Sequence, residues 1–124
     1  MSTSVPAAPG PPVAFPQYVK GKSDSVQLEG VEQVLIDFLT VLGIVHNALW
    51  SCPLIVTSAR DQMHAASSKH ASGKAVDIRV NDIEIQARDR LLAVVNVLAD
   101  RFGLTVFDER NLPGAGHFHV EVAG

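Results

Sequence analysis

The chain has 124 residues, 47% of them hydrophobic and 19% charged, with a net charge of −3, which suits one compact domain with a core of its own. It carries no basic run with interleaved aromatics, so a nucleic-acid partner is not expected. The single cysteine excludes an internal disulfide framework and a multi-thiolate metal site, leaving imidazole and carboxylate as the only ligand types for a metal.

Residues 1–24 hold most of the chain's prolines, which remove backbone donors and bias each preceding residue away from helix. This segment is expected to be a proline-rich tail, with a strap across the domain through Phe15, Tyr18 and Val19 as the alternative; residues 25–124 then form the domain. The N-terminus lacks the basic and then apolar layout of an export signal. No apolar run is expected to reach the roughly 18 residues that span a bilayer, so no membrane partner is expected. From Val31 the apolar positions Val31, Val34, Leu35, Phe38, Leu39 and Leu42 follow helical spacing, predicting a helix over about 30–49. Gly43 inside it costs about 1 kcal/mol relative to alanine.

PLIVTS, residues 53–58, reads as a short buried strand. The long polar segment after it exceeds the usual loop length of about 12 residues, which is itself a functional hint. AVDIRV, residues 75–80, returns to strand: Val76, Ile78 and Val80 face one side, Ala75, Asp77 and Arg79 the other. A second helix is expected over about 82–102, opened by a capping-like Asn81 with Glu84, striped by Ile85, Leu91, Leu92, Val95 and Leu98, and stopped by Gly103. LTVF, 104–107, and HFHVEV, 117–122, complete the strands. In the last one Phe118, Val120 and Val122 point one way and His117, His119 and Glu121 the other. The fold expected is α+β: a small antiparallel sheet with two main helices on its apolar face and a metal site on the opposite face.

Two strands thus each present a polar face bearing ligand-type residues, and neighbouring strands lie only about 4.8 Å apart. His70, in the loop before the strand, Asp77 on it and one histidine of HFH can share one zinc ion, which in catalytic sites keeps three protein ligands and a water. His46 and His64 are read as structural, and Cys52 as a small buried hydrophobe. Glu121 is read as a partner for Arg79.

SKHASGKAVD, residues 68–77, resembles the Ser-x-His-x-x-Gly-x-Ala-x-Asp motif of the zinc D-alanyl-D-alanine carboxypeptidase family at Ser68, His70, Gly73, Ala75 and Asp77. GHFHVEV resembles that family's closing strand. Relatives include endolysins that cut L-alanyl-D-glutamate bonds in peptidoglycan and the hedgehog domain, and the resemblance spans roughly residues 30–123. It implies zinc held by His70, Asp77 and His119, with His117 beside the metal-bound water, and a substrate drawn from peptidoglycan stem peptides. Many members carry Glu or Asp three residues before the last histidine ligand, where this chain has Gly116. The general base is therefore expected to be His117, or else Asp108 or Glu109 folded back over the metal. Arg60 resembles an arginine that holds a substrate carboxylate or carbonyl, and Ser68 is expected to orient a ligand.

The expected function is a zinc-dependent peptidase of carboxypeptidase or endolysin type. The alternative is a non-catalytic zinc-binding recognition or structural module of the same fold. Size and resemblance suit a phage-type lysin made in the cytoplasm and reaching the cell wall through a holin or with a virion.

Overall fold

The computed structural model describes residues 13–59, 69, 72–112 and 116–123. Along the chain it runs β1 (Val19–Gly21), α1 (Gln33–Trp50), β2 (Leu54–Ser58), β3 (Ala75–Arg79), α2 (Ile85–Phe102), β4 (Leu104–Asp108) and β5 (His117–Val122). The α+β expectation holds, and each expected element lies within a few residues of its place. The sheet, ordered β1-β2-β3-β5-β4, is mixed rather than antiparallel. β1 pairs in parallel with β2 through Val19↔Leu54 and Gly21↔Val56, because α1 carries the chain across between them, as parallel neighbours require.

The proline-rich segment expected as a tail through residue 24 therefore enters the sheet at Val19, which is 3% exposed. The physical reason is Gly43. An added Cβ there would stand 2.6 Å from Val19 Cγ2 and 3.3 Å from the carbonyl oxygens of Gln17 and Tyr18, so the missing side chain is what seats the strap on α1. Val31 is buried but precedes the helix, since Glu32 is extended at the N-cap. Asn81 does not cap α2: Glu84 holds the N-cap position without a side-chain bond. Gly103 ends α2 in the left-handed region, as expected.

One core joins the helices to the sheet. Leu35, Phe38, Leu39 and Leu42 of α1 and Leu91, Val95 and Ala99 of α2 are buried with Val56, Val76, Ile78, Phe118 and Val120; each large side chain contributes about 1.5–3 kcal/mol by leaving water. Phe38 meets Phe102 edge-on at 6.2 Å. Contrary to the expectation that no run is long enough, α1 has the 18 residues and mean hydropathy of 1.4 that a bilayer-crossing helix needs, but its inward stripe is occupied by this core. His46 is fully buried and its Nδ1–H donates to the Cys52 carbonyl at 2.9 Å, which bears out its structural reading. Burial holds that imidazole below its ordinary range and pushes the Cys52 thiol up.

Because Val76, Ile78, Phe118 and Val120 fill the helix-facing side, the period of two along a strand leaves Asp77, His117 and His119 no choice but the other face.

Replacing Gly43 by alanine tests the seating of the strap. Overpacking against Val19 is expected to cost about 1–3 kcal/mol, more than the gain of about 1 kcal/mol in helix propensity. Thermal unfolding should show a lowered midpoint for Gly43→Ala and partial recovery in the Gly43→Ala, Val19→Ala double variant. A higher midpoint in the single variant would contradict this packing.

Candidate metal centre

The register of three strands assembles the polar face. β3 and β5 pair Asp77↔His119 and Arg79↔His117, while β4 sets Phe107 opposite His119. Beyond the end of β4 the ladder continues with Glu109 N–H donating to the His117 carbonyl at 3.2 Å, which brings the Glu109 side chain onto the same face. On the other side of β3, β2 pairs Val56↔Ile78 and Ser58↔Asp77. Two residues of β2 thus span one of β3, a bulge of the kind that re-aims side chains near functional sites. The intervening Thr57 donates its hydroxyl to the Asp77 carbonyl at 3.4 Å.

The side chains meet closely. His119 Nδ1 lies 2.8 Å from Asp77 Oδ1, and its Nε2 lies 2.9 Å from Glu121 Oε1. His117 Nε2 lies 2.8 Å from Glu109 Oε1 and 3.7 Å from Asp77 Oδ2. The Asp77 side chain is 11% exposed and Glu109 33%, so solvent reaches the cluster from the Glu109 side. The Phe107 ring, itself exposed, stands 5.8 Å from the His119 ring and walls the cluster on β4.

Gly73 shapes the approach to β3. It has φ +77°, and an added Cβ would stand 2.0 Å from the Gly30 carbonyl oxygen. The contact is sealed by Glu32 N–H donating to the Gly73 carbonyl at 2.9 Å. Only glycine meets both demands at once. Lys74 N–H then closes a turn onto the Lys69 carbonyl at 2.8 Å, and Val122 N–H donates to the Lys74 carbonyl at 2.8 Å, which ties the entry to β3 against the end of β5.

Asp77, Glu109 and His117 offer three ligand atoms that lie within 4.8 Å of one another. Two ligands about 2.1 Å from a tetrahedral ion stand about 3.4 Å apart, and the observed 3.7 and 2.8 Å contacts of His117 bracket that separation. The group can hold a divalent metal ion, and its oxygen and nitrogen donors suit a borderline cation.

Of the expected site residues, Asp77, His117, His119 and Glu109 converge. His70, Arg60 and Ser68, like His64, lie outside the described residues. Asp108 is a correction: its carboxylate accepts from the Arg110 backbone N–H at 3.2 Å and from Arg110 Nε at 3.2 Å. It pairs with Phe118 in the ladder, whose side belongs to the core, so alternation gives the polar face to Glu109 instead. Glu121 is a second correction. The register sets Ala75 opposite Glu121 and Arg79 opposite His117, four residues away at about 3.3 Å each, so Arg79 turns to Asp82 with bonds of 3.0 and 2.8 Å. Glu121 instead meets His119 and Lys69. Lys69 went unnoticed in the sequence, although it sits inside the motif; the i, i+2 spacing of His119 and Glu121 was the available signal for their contact. No protein-family model and no curated protein matches the chain.

The hydrogen bond to Asp77 holds the His119 imidazole above its ordinary value of 6.5, against the opposing effect of burial, and Glu121 acts in the same direction as Asp77. Because the folded-state value lies above the unfolded one, this contribution to metal-free stability is complete below about pH 6.5 and is lost as pH rises through the folded value. Proton NMR titration of the metal-free protein should give His119 a midpoint above 6.5 and His46 one below it. Asp77→Asn should lower the first and leave the second. A His119 midpoint at or below 6.5 would contradict the Asp77–His119 contact.

Proposed function

We propose that the protein is a zinc-dependent peptidase acting on peptidoglycan stem peptides. The observation that carries the reading is the convergence of Asp77, His119, His117 and Glu109 on the one face of the sheet that the helices leave uncovered. The substrate class comes from the resemblance of residues 68–77 and of the closing strand to the D-alanyl-D-alanine carboxypeptidase family.

In this reading Asp77 and His119, together with His70, hold the zinc, and the His117–Glu109 pair handles the proton. A zinc ion held by these residues would supply Lewis-acid polarisation of the scissile carbonyl and acidify a water to a pKa of about 7. Glu109 supplies the carboxylate that the glycine at position 116 lacks. Its Oε1, 2.8 Å from His117 Nε2, forms with the imidazole a base and orienter pair. The pair takes the proton from the attacking water and returns it to the leaving amine. Phe107, exposed beside His119, offers an apolar surface for a small side chain next to the scissile bond. Asp77, its side chain 11% exposed, places a carboxylate where a cation is wanted.

A second division of roles has its own support, because Asp77, Glu109 and His117 alone form a compact ligand set. Metal content of variants separates the two. With His70, Asp77 and His119 as ligands, His117→Ala and Glu109→Gln keep zinc while His119→Ala loses it; with the other set the pattern reverses.

The function itself is tested by incubating the zinc-loaded protein with purified peptidoglycan and following new amino termini by mass spectrometry. Wild type should release them, chelator should stop the release, and His117→Ala or Glu109→Gln should slow it by about 10²–10⁴-fold, the usual contribution of general acid–base catalysis. Intact muropeptides at full zinc occupancy would contradict the peptidase and leave a recognition module of the same fold.

A further inference from the structure

Glu121 bonds to His119 on one side and to Lys69 on the other. Its Oε1 lies 2.9 Å from His119 Nε2, and its Oε2 lies 2.7 Å from Lys69 Nζ. The Lys69 ammonium makes a further bond to the Val122 carbonyl at 2.8 Å, and the Lys69 carbonyl accepts from Lys74 N–H and from the Ser72 hydroxyl. Lys69 is thus fixed at both ends, joining the turn before β3 to the last residues of β5. It is also the sequence neighbour of His70.

The chemistry of this chain is directional. A carboxylate only accepts, so the bond to Glu121 places a proton on His119 Nε2. Asp77 is a carboxylate too, so in the metal-free protein Nδ1, 2.8 Å from it, also donates a proton. With zinc at Asp77 that proton would be lost and the electron pair of Nδ1 would face the ion, while Nε2–H stays with Glu121. Histidine ligands depend on such a partner behind the far nitrogen to fix the tautomer and the ring plane. Ala75 and Thr105, the residues opposite Glu121 on the two flanking strands, offer no competing charge, and among the described residues Lys69 is the lysine or arginine that pairs with Glu121. Burial pushes the Glu121 carboxyl up, but the bonds from Lys69 and His119 outweigh it and hold the group below its usual range.

We propose that Glu121 and Lys69 are positioning residues of the metal centre: Glu121 sets the tautomer and orientation of His119, and Lys69 anchors Glu121 while tying the entry to β3 against the end of β5. The proposal rests on the reading of His119 as a zinc ligand.

Zinc affinity of the full chain, measured by competition with a chromophoric chelator, tests it. Glu121→Ala should weaken binding by about 10- to 100-fold, the range found for partners behind a ligand. Glu121→Gln, which keeps an acceptor for Nε2–H and loses the ion pair, should fall between Ala and wild type. Lys69→Met should also weaken zinc binding, and combined with Glu121→Ala it should add less than its separate effect, since the two act through one chain. Nitrogen-15 shifts of the zinc-loaded wild type should report a protonated Nε2 and an unprotonated Nδ1 on His119. Should the Ala variant fold poorly, the Gln and Met variants carry the test. Wild-type zinc binding with all variants within about two-fold of it would overturn the proposal alone, whereas absence of zinc binding in every protein, wild type included, would overturn the metal reading beneath it.

Discussion

Asp77 is a carboxylate placed in the middle of a sheet with most of its side chain out of water, and such a charge is costly unless positive or polar partners surround it. The rest of the polar face can be understood as the answer to that demand. His119 stands directly opposite on β5 and His117 on the next same-face position. The imidazole of His119, with a carboxylate against each ring nitrogen, is favoured in its charged form in the metal-free protein. A divalent cation would meet the same demand more strongly. The stability of the fold and the capacity to bind metal therefore draw on one electrostatic feature.

The feature is delivered by backbone geometry. Helices α1 and α2 claim the apolar side of β3 and β5 through Val76, Ile78, Phe118 and Val120, and a slip of one residue in either strand would send the histidines into the core. The bulge on β2 opposite Asp77 and the close contact of Gly73 with Gly30 fix where β3 begins and how it sits. Beyond the ladder, Glu109 is drawn in by a backbone bond to His117, and Glu121 is held by Lys69. The acidic groups around the two imidazoles come from positions whose alternation along their strands gives them the polar face.

Much of this was legible in the residues. The alternation in AVDIRV and HFHVEV separates core from site without any knowledge of topology, and helical spacing places α1 and α2 to within a few residues. What the sequence hid was long-range. Strand order decides that Arg79 lies opposite His117 and not beside Glu121. The choice between Asp108 and Glu109 turns on where the ladder with β5 continues past β4, a matter of one residue in register. The parallel strand β1 escaped because three residues among prolines carry no periodic signal, and because Gly43, which reads locally as a defect in α1, serves a contact made by residues more than twenty positions earlier. Lys69 escaped for a similar reason, as its partner lies 53 residues away.

The central claim is that one ion is gripped at Asp77 between β3 and β5. Crystals of the zinc-loaded protein, measured on both sides of the zinc absorption edge, address it directly. The account predicts a single strong anomalous peak about 2.0–2.2 Å from an Asp77 carboxylate oxygen and from at least one imidazole nitrogen of the polar face. A zinc peak elsewhere on the molecule, with Asp77 still bonded only to protein groups, would contradict it.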